Sequence, residues 1–136
     1  MIVLDTSVLS HVFRRTRSPP SQPVVAAFRR LVEEDAPLAV PGVVFQELLS
    51  GVRTARAFRD LEGALAGFPL LLADRAAHRR AAEVRNACRT VGAAAASFDC
   101  LIAAQAINAG AELWTLDGDF ARIALVTTLR LARPGP

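Results

Sequence analysis

Five carboxylates in this 136-residue chain are spaced so that they could act on one ligand: Asp5, Glu47, Asp99 and Asp117, with Asp119 close behind the last. Asp5 ends the apolar run Ile2-Val3-Leu4 and is followed by two hydroxyls, Thr6 and Ser7. Such a run reads as a strand buried on both faces. Asp5 then stands at a strand's carboxyl end, where open α/β sheets place their ligands. Two readings of Asp5 remain open from these residues alone, a ligand or a cap for the next helix. Glu47 lies on a helix opened by Pro41-Gly42 after a second strand, Leu38 to Val40. A single glutamate there otherwise reads as a surface residue. Asp117 and Asp119 follow a strand from Glu112 to Thr115, and Asp99 falls in the first turn of the helix before that strand. In a parallel sheet these positions all leave from one edge, so acids from four separate segments can face one cleft.

Carboxylates held together repel. At about 5 Å each pair costs roughly 3 kcal/mol with an effective dielectric near 20, so such a cluster needs protons or a divalent cation. Oxygen donors without clustered His or Cys favour Mg²⁺ or Mn²⁺ over zinc. A cation held by a few carboxylates keeps open positions for a phosphate oxygen and a nucleophilic water. An acidic cleft on an arginine-rich body suits cleavage of a nucleic-acid backbone.

The elements that must position these acids alternate. After the first strand come a short helix from Val8 to Arg15, a proline-rich loop from Thr16 to Pro23, and a helix from Val24 to Glu34. A helix from Thr54 to Ala66 is expected to turn Ala57, Phe58, Leu61 and Leu65 inward. A strand within Phe68 to Leu72 is pushed toward a sheet edge by Pro69. The longest helix, Asp74 to Val91, has the stripe Ala77, Ala81, Val84, Cys88 and Val91. Arg75, Arg79, Arg80, Arg85 and Arg89 lie off that stripe, and read either as a solvated basic face or as a phosphate-tracking surface. Ser97 or Asp99 could cap a helix from Phe98 to Asn108, with Phe98, Leu101, Ile102, Gln105 and Ala109 inward. Asn108-Ala109-Gly110 stops it. A short turn of helix at Phe120 to Ile123 and a last strand from Leu125 to Leu131 complete the pattern. The expected architecture is α/β, a single domain over residues 1–136 with a short, mostly parallel central sheet flanked by helices and a tail at 133–136.

The hydrophobic fraction of 52% and charged fraction of 21% fit a soluble globular domain. No run approaches the roughly 18 apolar residues of a membrane helix, and Asp5 interrupts the N-terminal apolar stretch too early for a signal peptide. A cytoplasmic location without membrane contact is expected. The formal charge is +3 and all 16 basic residues are arginine. The absence of lysine removes Walker-type phosphate loops, haloacid-dehalogenase-type phosphatases and response-regulator receivers in their usual forms. No G-x-G-x-x-G follows any strand. Cys88 and Cys100 read as small core residues, and His11 and His78 as isolated histidines.

Four segments in order carry a resemblance: Leu4-Asp5-Thr6-Ser7, Pro41-Gly42-Val43-Val44-Phe45-Gln46-Glu47-Leu48, Asp99-Cys100-Leu101-Ile102-Ala103-Ala104 and Trp114-Thr115-Leu116-Asp117-Gly118-Asp119-Phe120. Together they resemble a PIN-domain nuclease, most closely the VapC toxins of bacterial toxin–antitoxin pairs. The resemblance implies a metal-dependent endoribonuclease, a homodimer, an RNA substrate and a cognate antitoxin that occludes the site. It makes Asp5, Glu47 and Asp99 the core metal ligands and Asp117 the fourth acidic position, with Asp119 as a neighbour able to share that duty. Thr6 and Thr115 match hydroxyl positions that orient ligands or water, and Thr6 and Ser7 take the helix-cap role. The alternative is a PIN-like binding module acting mainly through its complex with an antitoxin or regulator, although a pure binder has no use for four repelling acids. An Asp5-nucleophile phosphatase would need a second Asp where Ser7 stands, and a lysine.

Overall fold

The computed structural model describes residues 1–13 and 22–135. The end of the expected first helix and most of the proline-rich loop lie outside them. Five strands form one parallel sheet: β1 (Ile2–Leu4), β2 (Leu38–Pro41), β3 (Leu70–Leu71), β4 (Glu112–Trp114) and β5 (Arg130–Leu131), in the order β3-β2-β1-β4-β5. β1 is central, with Val3 opposite Ala39 on one side and Leu113 on the other. Val3 and Leu4 are fully buried, as a strand covered on both faces requires. The chain leaves β1 toward β2 and β3, then crosses back to β4 on its other flank. The strand order therefore switches between β1 and β4, and the crevice at their carboxyl ends is where such sheets bind ligands.

Seven helices flank the sheet among the described residues: α1 (Thr6–Phe13), α2 (Gln22–Glu33), α3 (Gly42–Leu49), α4 (Ala55–Leu65), α5 (Arg75–Thr90), α6 (Ser97–Asn108) and α7 (Asp119–Val126). α2 begins two residues earlier than expected, because Pro23 is tolerated in a first helical turn, where its missing N–H is no loss. The Thr54 hydroxyl caps α4 and the Asp74 carboxylate caps α5. α6 is the structural keystone. Every residue from Cys100 to Ala106 is buried, so it is enclosed all round and shows no single inward stripe. Its end is set by Gly110 at φ 62°, which lets Ala111 N–H return to the Ala106 carbonyl at 2.9 Å. Buried Gln105 on α6 donates to the Leu71 carbonyl at 2.8 Å, tying the two-residue edge strand β3 to the core.

Several expectations fail where one apolar residue was placed by periodicity. Phe98 is 57% exposed and Phe58 39% exposed. Val91 and Ala109 are exposed at the ends of α5 and α6. The final stretch is not one long strand: α7 continues to Val126, with Leu125 85% exposed, and only Arg130–Leu131 pairs with β4. The β-rich composition of that stretch lost to a helix that buries Phe120 and Ile123. Cys88 and Cys100 are buried free thiols. Among the described residues no helix is long and apolar enough to cross a membrane.

Candidate metal centre

Asp5 is held at the end of β1 with 5% exposure. Burying a carboxylate this far demands donors. The Ser7 hydroxyl supplies one at 2.8 Å and the Thr115 hydroxyl another at 2.7 Å, both to Oδ2. Each hydroxyl oxygen then accepts a backbone N–H from the segment after β4: Leu116 N–H reaches Ser7 Oγ at 2.9 Å and Asp117 N–H reaches Thr115 Oγ1 at 3.0 Å. Asp5 thus orients two hydroxyls, and these fix the loop that presents Asp117. Among the described residues no hydrogen bond reaches its second oxygen, Oδ1. Ser7 was expected only as a helix cap, and its part in this network is visible only once β1 and β4 are neighbours. No side chain of Thr6 or Ser7 caps α1; the Asp5 carbonyl opens that helix by accepting from Val8 and Leu9 N–H, each at 3.2 Å.

Asp99 enters from the opposite direction, in the first turn of α6, where the helix dipole favours a carboxylate. Neither Ser97 nor Asp99 is the cap; Ala96 occupies that position without a side-chain bond. One carboxylate oxygen each from Asp99, Asp117 and Asp119 lies within 4.8 Å of the others. Asp5 and Glu47 stand outside that tight group but close enough to act on it. Burial first, then the negative charges of Asp117, Asp5, Asp119 and Glu47, push the Asp99 carboxyl up to about 6. All five acids singled out in the sequence therefore act on one neighbourhood.

Within it they differ. Asp117 Oδ1 accepts the Asp119 N–H at 2.9 Å, which turns the chain into α7. Asp119 forms an ion pair with Arg122, one turn along α7. Glu47, exposed on α3, lines a cavity of about 470 Å³ with Thr6, Ser10 and Phe13. Among the described residues the Thr6 hydroxyl oxygen is buried without a hydrogen-bond partner. Three carboxylates in reach of one another, one of them pushed toward neutrality by burial and then by its negative neighbours, make a donor set that fits a hard divalent cation and its waters.

Comparison with known proteins agrees with this geometry. The family model described as PIN domain matches residues 2–126. Ribonuclease VapC11 of Mycobacterium tuberculosis is 39% identical over 134 residues, covering 97% of this chain and 98% of its own length. The VapBC-1 structure from nontypeable Haemophilus influenzae superposes with a TM-score of 0.78 at 20% identity, covering 97% of each chain. VapBC-5 of Mycobacterium tuberculosis, described as a member of the VapBC family of toxin-antitoxin systems, superposes with a TM-score of 0.68 at 23% identity, covering 96% of each. With its acidic crevice at the β1/β4 switch point, the chain belongs to the PIN domain family and, within it, to the VapC proteins.

Proposed function

We propose that the chain is an endoribonuclease, the toxin of a toxin–antitoxin pair, and that it hydrolyses RNA phosphodiester bonds with Mg²⁺ or Mn²⁺. The observation that carries this reading is the convergence of Asp5, Glu47, Asp117 and Asp119 on Asp99, which only a bound cation or a proton relieves. The 39% identity to a ribonuclease across almost the whole chain supports the reaction class. Asp5, Asp99, Glu47 and Asp117 would hold the cation, with Asp119, which also pairs with Arg122, able to share that duty. When bound, that cation supplies positive charge against the phosphate and a water acidic enough to attack near neutral pH.

The protein's own residues set the geometry. Ser7 and Thr115 fix Asp5 Oδ2, and through Leu116 and Asp117 N–H they hold the backbone that presents Asp117. Thr6 and Glu47 line one cavity beside this network, in line with the water-orienting place the resemblance gives Thr6. Asp99, once deprotonated, completes the set. The resemblance to VapBC complexes supports a cognate antitoxin as partner. A homodimer of single-domain chains accords with the large apolar side chains left exposed, among them Leu72, Val91 and Leu125. The test is direct: purified protein should cut RNA with Mg²⁺ or Mn²⁺ and stop on addition of EDTA. Unchanged cutting by both Asp5→Asn and Asp99→Asn would refute the assignment.

A further inference from the structure

The arginines of α5 take no part in the centre described above, yet their placement is ordered. Arg75, Arg79, Arg80, Arg85 and Arg89 are all exposed. At 3.6 residues per turn, Arg75, Arg79, Arg85 and Arg89 share roughly one third of the helix circumference and span about 21 Å of its length. The ion pairs found among the described residues are Arg30–Glu34 and Arg122–Asp119, and neither involves α5. Even Glu83, four residues after Arg79, is not paired with it. The two arginines of α5 that make side-chain hydrogen bonds make them to neutral groups: Arg80 to Asn108 Oδ1 at 3.2 Å and Arg85 to Ser97 Oγ at 2.7 Å. Their positive charge is therefore oriented but not cancelled.

These same two bonds give the row a direction. Arg80 meets the end of α6 and Arg85 its beginning, so the helices run antiparallel and the row advances toward the first turn of α6. Asp99 lies there, two residues beyond Ser97. At that end Arg85 and Arg89 line a surface concavity of about 330 Å³ with Gly92, Ala93, Ala94 and Ala95. Apart from the two arginines, only glycine and alanine line this concavity. A polyanion entering a cleft of carboxylates meets repulsion over its whole length, while a cation at the centre relieves it only at one phosphate. A cationic flank leading to the cleft supplies the rest.

We propose that the α5 arginine face, with Arg85 and Arg89 at its inner end, holds the phosphates of a single-stranded RNA beside the cleavage site. The face sets affinity and not chemistry, and the inference rests on the ribonuclease reading. It is tested by Arg85→Gln/Arg89→Gln and Arg75→Gln/Arg79→Gln in the full chain, using a mixed-sequence single-stranded RNA. Each pair should raise KM about tenfold with kcat unchanged. The slope of log affinity against log salt should fall by about 0.7 per arginine, hence about 1.4 per pair. Arg→Lys at the same positions should restore most of both. Unchanged KM and salt slope would overturn the proposal and leave a merely solvated face. Loss of binding to a polyglutamate peptide with RNA kinetics intact would also overturn it, assigning the face to an acidic protein. If the wild-type chain cuts no RNA, the ribonuclease reading fails separately. Filter binding of the same RNA by wild type and variants, with the same salt slopes, then decides the arginine face by itself.

Discussion

Asp5 and Asp99 serve the same crevice but are built in opposite ways. Asp5 is satisfied: two hydroxyls donate to one of its oxygens, and the network runs on into the backbone of the β4–α7 loop. Asp99 is frustrated. Among the described residues no hydrogen bond reaches its carboxylate, and burial plus four negative neighbours push it up to about 6. One acid is tied into the scaffold by its hydroxyl donors, while the other sits in an arrangement that a proton or a bound cation would relieve. The difference separates the residue that organises the loop after β4 from the one whose negative charge is opposed by burial and by its neighbours.

Substitutions can pull the two apart. The largest effect is expected on catalysis: Asp5→Asn and Asp99→Asn should each lower RNA cleavage by a hundredfold or more, about 2.7 kcal/mol or above in barrier height. In stability they should then diverge. Asp5→Ala removes the shared acceptor of two half-buried hydroxyls and should destabilise by about 1–3 kcal/mol in denaturant melts. Asp99→Asn removes a repelled charge and should stabilise the metal-free protein. Next, Thr115→Val deletes one donor to Asp5 and the acceptor for Asp117 N–H. It should cost about 1–2 kcal/mol and slow cleavage roughly tenfold through misplacement of the loop.

A pH titration sharpens the same contrast. The folded Asp99 keeps its proton up to about 6, whereas an ordinary aspartate loses it near 3.8. Between those values the native state binds more protons than the unfolded one, so metal-free stability should fall as pH rises from about 4 to 6 and then level off. Saturating Mn²⁺ or Asp99→Asn should flatten that segment, as read by melting temperature across the window. The smallest effect belongs to Arg122→Ala. Its ion pair with Asp119 is exposed and should contribute no more than about 1 kcal/mol to stability. Removal should modestly tighten Mn²⁺ binding by releasing Asp119.

The order of strands and helices and the convergence of the acids were legible because they depend on coarse features. Ile2-Val3-Leu4 before an acid, and Trp114-Thr115 before two more, fix strand ends, and parallel topology brings those ends together without any detail of packing. What escaped was set by tertiary context. Phe98 looks inward by spacing, yet α6 is wrapped so completely from Cys100 to Ala106 that its first turn is free to expose an aromatic ring. Leu125 to Val126 has strand composition, but Phe120 and Ile123 find the core only as a helix. Ser7 looked like a cap because two of its partners, Leu116 N–H and Thr115, are over a hundred residues away in sequence. The tilt of Asp119 toward Arg122 is likewise a matter of one helical turn that only exists once α7 forms.

The central claim is that the acid cluster is a cation site whose frustration is concentrated at Asp99. It is tested most directly by Mn²⁺-dependent thermal melts of wild type and Asp99→Asn near pH 7. At one hundred times the dissociation constant, binding should stabilise wild type by about 2.7 kcal/mol, roughly 8 °C in melting temperature, with little shift in Asp99→Asn. Equal shifts in both proteins, or none in wild type, would contradict the account.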